Sequence, residues 1–129
     1  MQKKIKFLFL SLIAAMFMIL PVCAEGSNTY RMVDQANLLT DQEEQSLNTK
    51  LREISERQQV DVAVMTVDSI PEGYSVRGYA DTVYEDSGYG YGANKDGLML
   101  LISMEDHDWY ITTMGYGITA FTDAGIQYI

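Results

Sequence analysis

Residues 60–67, VDVAVMTV, constrain the fold more than any other segment. Side chains alternate across a strand, so Val60, Val62 and Val64 share one face while Ala63, Met65 and Val67 share the other. A strand that is apolar on both faces has to be covered on both. It is read as a central strand with layers above and below. Residues 98–102, LMLLI, form a continuous apolar run bounded by turn residues, and are read as a second buried strand.

The remaining segments arrange themselves around these two. Thr40-Asp41-Gln42-Glu43 is a capping box with acids in the first turn, where the helix dipole favours them. Leu47, Leu51 and Ile54 continue that helix to about Gln58, and its other residues form a solvated face. In the segment 75–85, Val76, Tyr79, Ala80, Val83 and Tyr84 form an apolar helical stripe. Residues 30–33 suit a short edge strand. Residues 109–114 suit a hairpin partner of 98–102 across the polar turn 104–108, closed by Gly115-Tyr116-Gly117. Thr122-Asp123 reads as the cap of a helix that has only begun at Ile129, so the C-terminal helix is read as truncated. A strand–helix–strand step implies a crossover and parallel pairing, and the hairpin adds an antiparallel strand. The expectation is an α/β fold on a small mixed sheet of about four strands with helices packed against it.

A chain of 129 residues allows one domain. Its formal charge of −9 misleads until the first 24 residues are set apart. Residues 1–6 carry three lysines and no acid, residues 7–20 are an apolar run broken only by Ser11, and Val22 and Ala24 stand before a cleavage point. This is the plan of a secretory signal, and the run is short for a membrane span. Leu20-Pro21-Val22-Cys23 faintly resembles a lipoprotein box, but Val22 is larger than such a box prefers, so Ala24 is taken as the cleavage point. Removing residues 1–24 leaves 105 residues with all 18 acids and six bases, a charge of −12. Such a domain is a poor nucleic-acid binder. Charge will not hold it to an anionic membrane either. The only cysteine, Cys23, leaves with the signal, which removes any disulfide framework or cysteine nucleophile.

Residues 87–97, SGYGYGANKDG, invite a phosphate-loop reading. Ala93 breaks G-x-G-x-x-G, no Lys-Ser/Thr pair follows Gly97, and the loop lies between a helix and a strand instead of the reverse. A flexible surface loop accounts for it better, and long loops are often functional. Asn94-Lys95-Asp96-Gly97 resembles part of an EF-hand, but Gly92 and Ser103 fall where the first ligand and the bidentate glutamate belong. An Asn-x-Asp-Gly turn explains these residues equally. His107, the single histidine, lies in a polar turn, and no G-x-S-x-G occurs. One histidine cannot supply a multi-histidine zinc site. Tyr84, Tyr89, Tyr91 and Tyr116 crowd the loop and hairpin segments. The topology brings the glycine loop and Gly115-Tyr116-Gly117 to one sheet edge, opposite Asp68 and the turn 105–108. That rim is a candidate contact surface. Core tyrosines with hydrated hydroxyls are the competing account.

Three blocks in order carry a family resemblance: VDQANLLT at 33–40, NKDGLMLLI at 94–102 and TMGYG at 113–117. They resemble the signature blocks of the TPM domain, found in YgcG-like bacterial envelope proteins and in thylakoid-lumen proteins linked to photosystem II repair. The resemblance covers nearly all of residues 30–129 and implies a three-layer α/β/α sandwich over 25–129. Members commonly carry a signal peptide, the domain, a transmembrane helix and a Gly/Ser-rich tail, so a membrane tether beyond this chain's end is implied. Phosphatase activity in a plant member and divalent-ion binding in some members are implied too. By matching blocks, Asp34, Asp96 and Asp123 are the candidate metal ligands. One departure stands out: the family block continues Gly-Tyr-Gly-x-Glu, and this chain has Thr119 there.

The function expected from these readings is an exported cell-envelope interaction or assembly module that binds Ca²⁺ weakly, with an envelope protein as partner. Neither nucleotide nor haem is expected. The rival is a metal-assisted acid phosphatase, in which bound ions offset phosphate repulsion and activate water.

Overall fold

The computed structural model describes residues 30–126. The segment read as a signal, and Cys23 within it, lie outside them. The elements run β1 (Met32–Asp34), α1 (Asp41–Gln58), β2 (Asp61–Val67), α2 (Val76–Asp86), β3 (Gly97–Ser103), β4 (Asp108–Met114), α3 (Tyr116–Ala120) and α4 (Asp123–Ile126). They form one mixed sheet in the order β1-β2-β3-β4. β1, β2 and β3 are parallel, and β4 runs antiparallel to β3. No helix among the described residues is long and apolar enough to cross a membrane.

The helix starts follow the capping residues. The Glu43 amide donates to the Thr40 hydroxyl at 3.3 Å, and the Glu43 carboxylate accepts the Thr40 amide at 2.9 Å. α1 ends at Gln59, whose φ of 54° places it in the left-handed region that stops a helix. Ser75 caps α2 by accepting the Gly78 amide at 3.1 Å.

Alternation on β2 sorts the layers. Ala63, Met65 and Val67 join Met99, Leu101, Ala80, Tyr84 and Tyr89 in one buried cluster beneath α2. Met99 and Leu101 have no exposed surface. The opposite face carries α1 over β1 and β2. Met32, which pairs with Val64, sits there beside Asp41, Glu44, Gln45 and Asn48. The sheet is therefore the middle of three layers, α/β/α. The one buried residue of α1 is polar: Ser55 accepts the Val62 amide at 2.9 Å and donates to the Leu51 carbonyl at 2.7 Å. Leu47 and Ile54, read in sequence as the core stripe of α1, stay more than a third exposed. A small hydroxyl satisfying a strand amide lies at the contact instead.

The α1 face is covered unevenly. Leu100, Ile102, Trp109 and Ile111 line a shallow cleft of about 320 Å³ on β3 and β4, with no helix over it among the described residues. Gly115-Tyr116-Gly117, expected as a plain turn, instead leads into α3. Gly117 allows this, because a Cβ there would collide with the Gly97 carbonyl.

Candidate functional site

The head of β2, the head of β3 and the tail of β4 share one end of the sheet. Asp61 pairs with Gly97, and Gly97 pairs with Met114. The glycine loop arrives at this end and is more ordered than its composition suggests. Tyr91 and Asp96 exchange backbone hydrogen bonds of 2.9 and 3.0 Å, closing residues 91–96 into a tight turn. Gly90 has φ +111°, and a Cβ there would lie 2.6 Å from Lys95 Cα, so this crossing accepts only glycine.

Asp61 fastens the loop to the sheet. It is 5% exposed, and each carboxylate oxygen has a donor. Arg31 Nε donates to Oδ1 at 2.6 Å, and the Gly90 amide donates to Oδ2 at 2.9 Å. The Asp61 amide donates to the Asp96 carbonyl at 2.9 Å. A buried charge held this way has its desolvation offset by an ion pair and hydrogen bonds. Asp61 and Arg31 were not singled out from sequence. The legible signal was a lone acid opening an otherwise apolar strand, 60–67.

The tyrosines divide between the two accounts offered for them. Tyr84 and Tyr89 are core residues, 1% and 3% exposed. The Tyr84 hydroxyl donates to the Lys95 carbonyl at 3.0 Å, and the Tyr89 hydroxyl to the Tyr30 carbonyl at 2.6 Å. Burial, with the Asp61 charge second, pushes both hydroxyls above the ordinary tyrosine range. They therefore stay protonated donors. Tyr91 and Tyr116 are surface residues, 38% and 60% exposed. Tyr84 and Tyr89 also line a cleft of about 310 Å³, together with Glu85, Asn94, Lys95 and Met114. Its lining includes two aromatic rings and a thioether, and among the described residues Lys95 is the only cation that lines it.

Of the candidate ligands, Asp96 lies at this edge. Its Oδ1 accepts the Tyr116 amide at 2.7 Å. Gly115 sits between, at φ +56°, where a Cβ would collide with Asp96 Oδ1 and lie 2.8 Å from the Asn94 carbonyl oxygen. Asp96 Oδ1 and Asn94 O thus pack against the Gly115 backbone and leave no room for a side chain there.

Asp34 stands at the far end of the sheet, paired with Thr66. Thr66 is five residues along β2 from Asp61, about 17 Å of strand. Both Asp34 oxygens are engaged: Oδ1 accepts the Thr66 hydroxyl and Oδ2 accepts the Leu39 amide at 2.7 Å. The Thr66 hydrogen bond holds this carboxyl below its ordinary range. Asp34 therefore braces the β1–α1 connection and does not share an ion site with Asp96. Asp123 opens α4, directly after α3.

The turn 105–108 lies at the Asp34 end, as the topology required. Asp106 accepts the Ser103 hydroxyl at 2.6 Å and the Ile70 amide at 2.7 Å. His107 has φ 52°, with Nδ1 3.1 Å from the Glu105 carbonyl oxygen. This turn ties two loops together. Among the described residues, no three His, Cys, Asp or Glu side chains gather into a metal-binding group. The oxygens at this edge that could take part in holding a cation are the Asp96 carboxylate and the Asn94 carbonyl, with water completing the set.

The fold and this edge can be set beside known proteins. The family model described as the TPM domain matches residues 32–129. The solution NMR structure of the N-terminal domain of a protein from P. gingivalis is similar, with 26% identity and a TM-score of 0.63. The match covers 80% of this chain and 65% of that one, so the chain spans about two thirds of its length. No match was found among curated proteins. With its family model covering three quarters of the sequence and its three-layer sheet in place, the chain belongs to the TPM domain family.

Proposed function

We propose that this domain is an exported binding module of the cell envelope whose contact surface is the glycine-loop edge. One observation carries the reading: the edge is fastened through Asp61, Tyr84 and Asp96, yet Tyr91 and Tyr116 face solvent beside the cleft. A surface already ordered loses little entropy on binding. Exposed tyrosines over a fixed scaffold are the residue type that anchors protein contacts. Calcium binds at the same edge through Asp96 and the Asn94 carbonyl, with water supplying the remaining ligands. A dissociation constant on the order of 10⁻⁴–10⁻³ M suits an extracellular site with so few protein oxygens.

The phosphatase reading is weaker on charge. Phosphoryl transfer requires positive charge around the transferring group. Among the described residues the cleft offers Lys95 alone, beside Glu85, on a domain of −12.

Thermal unfolding in millimolar calcium, read beside hydrolysis of a phosphomonoester, tests the reading. The expected result is a calcium-dependent rise in Tm that Asp96→Asn abolishes, without hydrolysis by either protein. Hydrolysis that Asp96→Asn removes would overturn it in favour of the enzyme.

A further inference from the structure

We infer that the partner of the loop edge is an extended peptide segment bearing arginine and aliphatic side chains. This deepens the proposed function and rests on its contact surface. Three observations converge on that chemistry.

The first is charge. Residues 84–97, which line the cleft and form the loop, carry three acids, Glu85, Asp86 and Asp96, against one basic residue, Lys95. Glu85 lines the cleft with Lys95, and Asp96 follows Lys95 in the chain. An acidic segment brought here meets repulsion from a domain of −12, whereas a basic one is steered toward it.

The second is the exposed aromatic rim. Tyr91 and Tyr116 flank Asp96, through the Tyr91–Asp96 bridge and the Tyr116 amide. A guanidinium can lie over a tyrosine face and also reach a carboxylate, which an ammonium does less well. Arginine is therefore preferred over lysine.

The third is the cleft floor. Tyr84, Tyr89 and Met114 form an apolar bottom to a volume of about 310 Å³, enough for one aliphatic side chain and too small for a folded element. Alternation of basic and aliphatic residues in an extended chain would place one kind in the cleft and the other on the rim.

The probe is a ten-residue peptide alternating Arg and Leu, compared with counterparts carrying Lys or Glu in place of Arg. Binding is followed by NMR on ¹⁵N-labelled protein at two salt concentrations. The Arg peptide is expected to shift amides in 84–96 and 114–118, and to bind more tightly than the Lys peptide. The Glu peptide is expected to leave these amides unmoved. Tyr116→Ala should weaken the Arg peptide about fivefold or more, the loss of a single aromatic anchor. Asp41→Asn with Glu44→Gln, which removes two charges on α1, should change it by less than twofold. Equal binding of all three peptides, an unchanged affinity in Tyr116→Ala, or shifts confined to Leu100, Trp109 and Ile111 would each overturn the inference. If calcium still shifts Asn94 to Asp96 in such a case, the loop edge stands as a binding surface and only this partner class fails.

Discussion

The backbone amide of Asp61 donates to the carbonyl of Asp96 at 2.9 Å, so the glycine loop is fastened to the head of the central strand. The same Asp61 holds Arg31 and the Gly90 amide through its carboxylate. Loop order and sheet integrity are therefore coupled through one residue.

Asp61→Ala should leave the Arg31 guanidinium without this carboxylate and the Gly90 amide unpaired. Breaking a buried pair by removing one partner costs roughly 3–5 kcal/mol, and Arg31's partial exposure puts this case at the lower end. Urea unfolding of the variant beside wild type measures it. A loss confined to a few tenths of a kcal/mol would mean the loop is held by other contacts.

Gly115 and Gly73 offer a matched pair. Both have positive φ, but a Cβ at Gly73 meets open space while one at Gly115 meets Asp96 and Asn94. Gly73→Ala should cost about 1 kcal/mol, the backbone strain alone. Gly115→Ala should cost at least twice that, and should remove amide protection at Tyr116 in hydrogen exchange. Equal costs would mean the Asp96–Tyr116 contact carries no energy.

Acid lability should come from three carboxylates held below their ordinary range: Asp34 chiefly by the Thr66 hydroxyl, Glu43 by the Thr40 backbone, and Asp106 by the Ser103 hydroxyl. A carboxylate with a depressed folded-state pKa contributes stability above its unfolded value. That stability is lost as pH falls through the folded value. The loss should thus begin below about pH 4, where free Asp and Glu titrate. Thr66→Val should raise the Asp34 midpoint in an NMR titration and flatten this acid limb. An unmoved midpoint would assign the shift to another cause.

Thr40→Ala removes the hydroxyl that accepts the Glu43 amide. The loss of such a cap costs about 1 kcal/mol, and circular dichroism should show earlier fraying of α1. Met99→Ala, in the fully buried cluster beneath α2, should cost about 2–5 kcal/mol. A reversed order would contradict the assignment of the core.

The strands and the caps were legible because their signals are local. Alternation over 60–67 and the Thr40–Glu43 box fix β2 and the start of α1 without reference to anything distant. The edge shared by the glycine loop and Gly115 also followed from topology alone. Asp34 and Asp96 looked like one ligand set because both stand in signature blocks. The parallel pairing of β1 with β2 sends Asp34 to the opposite end, an outcome that spacing in sequence does not encode. The role of Asp61 is not legible in sequence for a related reason: its partners, Arg31 and Gly90, lie 30 and 29 residues away. Ser55, and not Leu47 or Ile54, is the buried residue of α1, where it accepts the Val62 strand amide.

The most direct test of the loop edge as the binding surface is a calcium titration followed by ¹H–¹⁵N NMR on wild type and Asp96→Asn. The account predicts saturable shifts in the millimolar range at Asn94 to Asp96 and Tyr116, none at Asp34 or Leu39, and their loss in Asp96→Asn. Shifts centred on Asp34, or an identical response in Asp96→Asn, would contradict it.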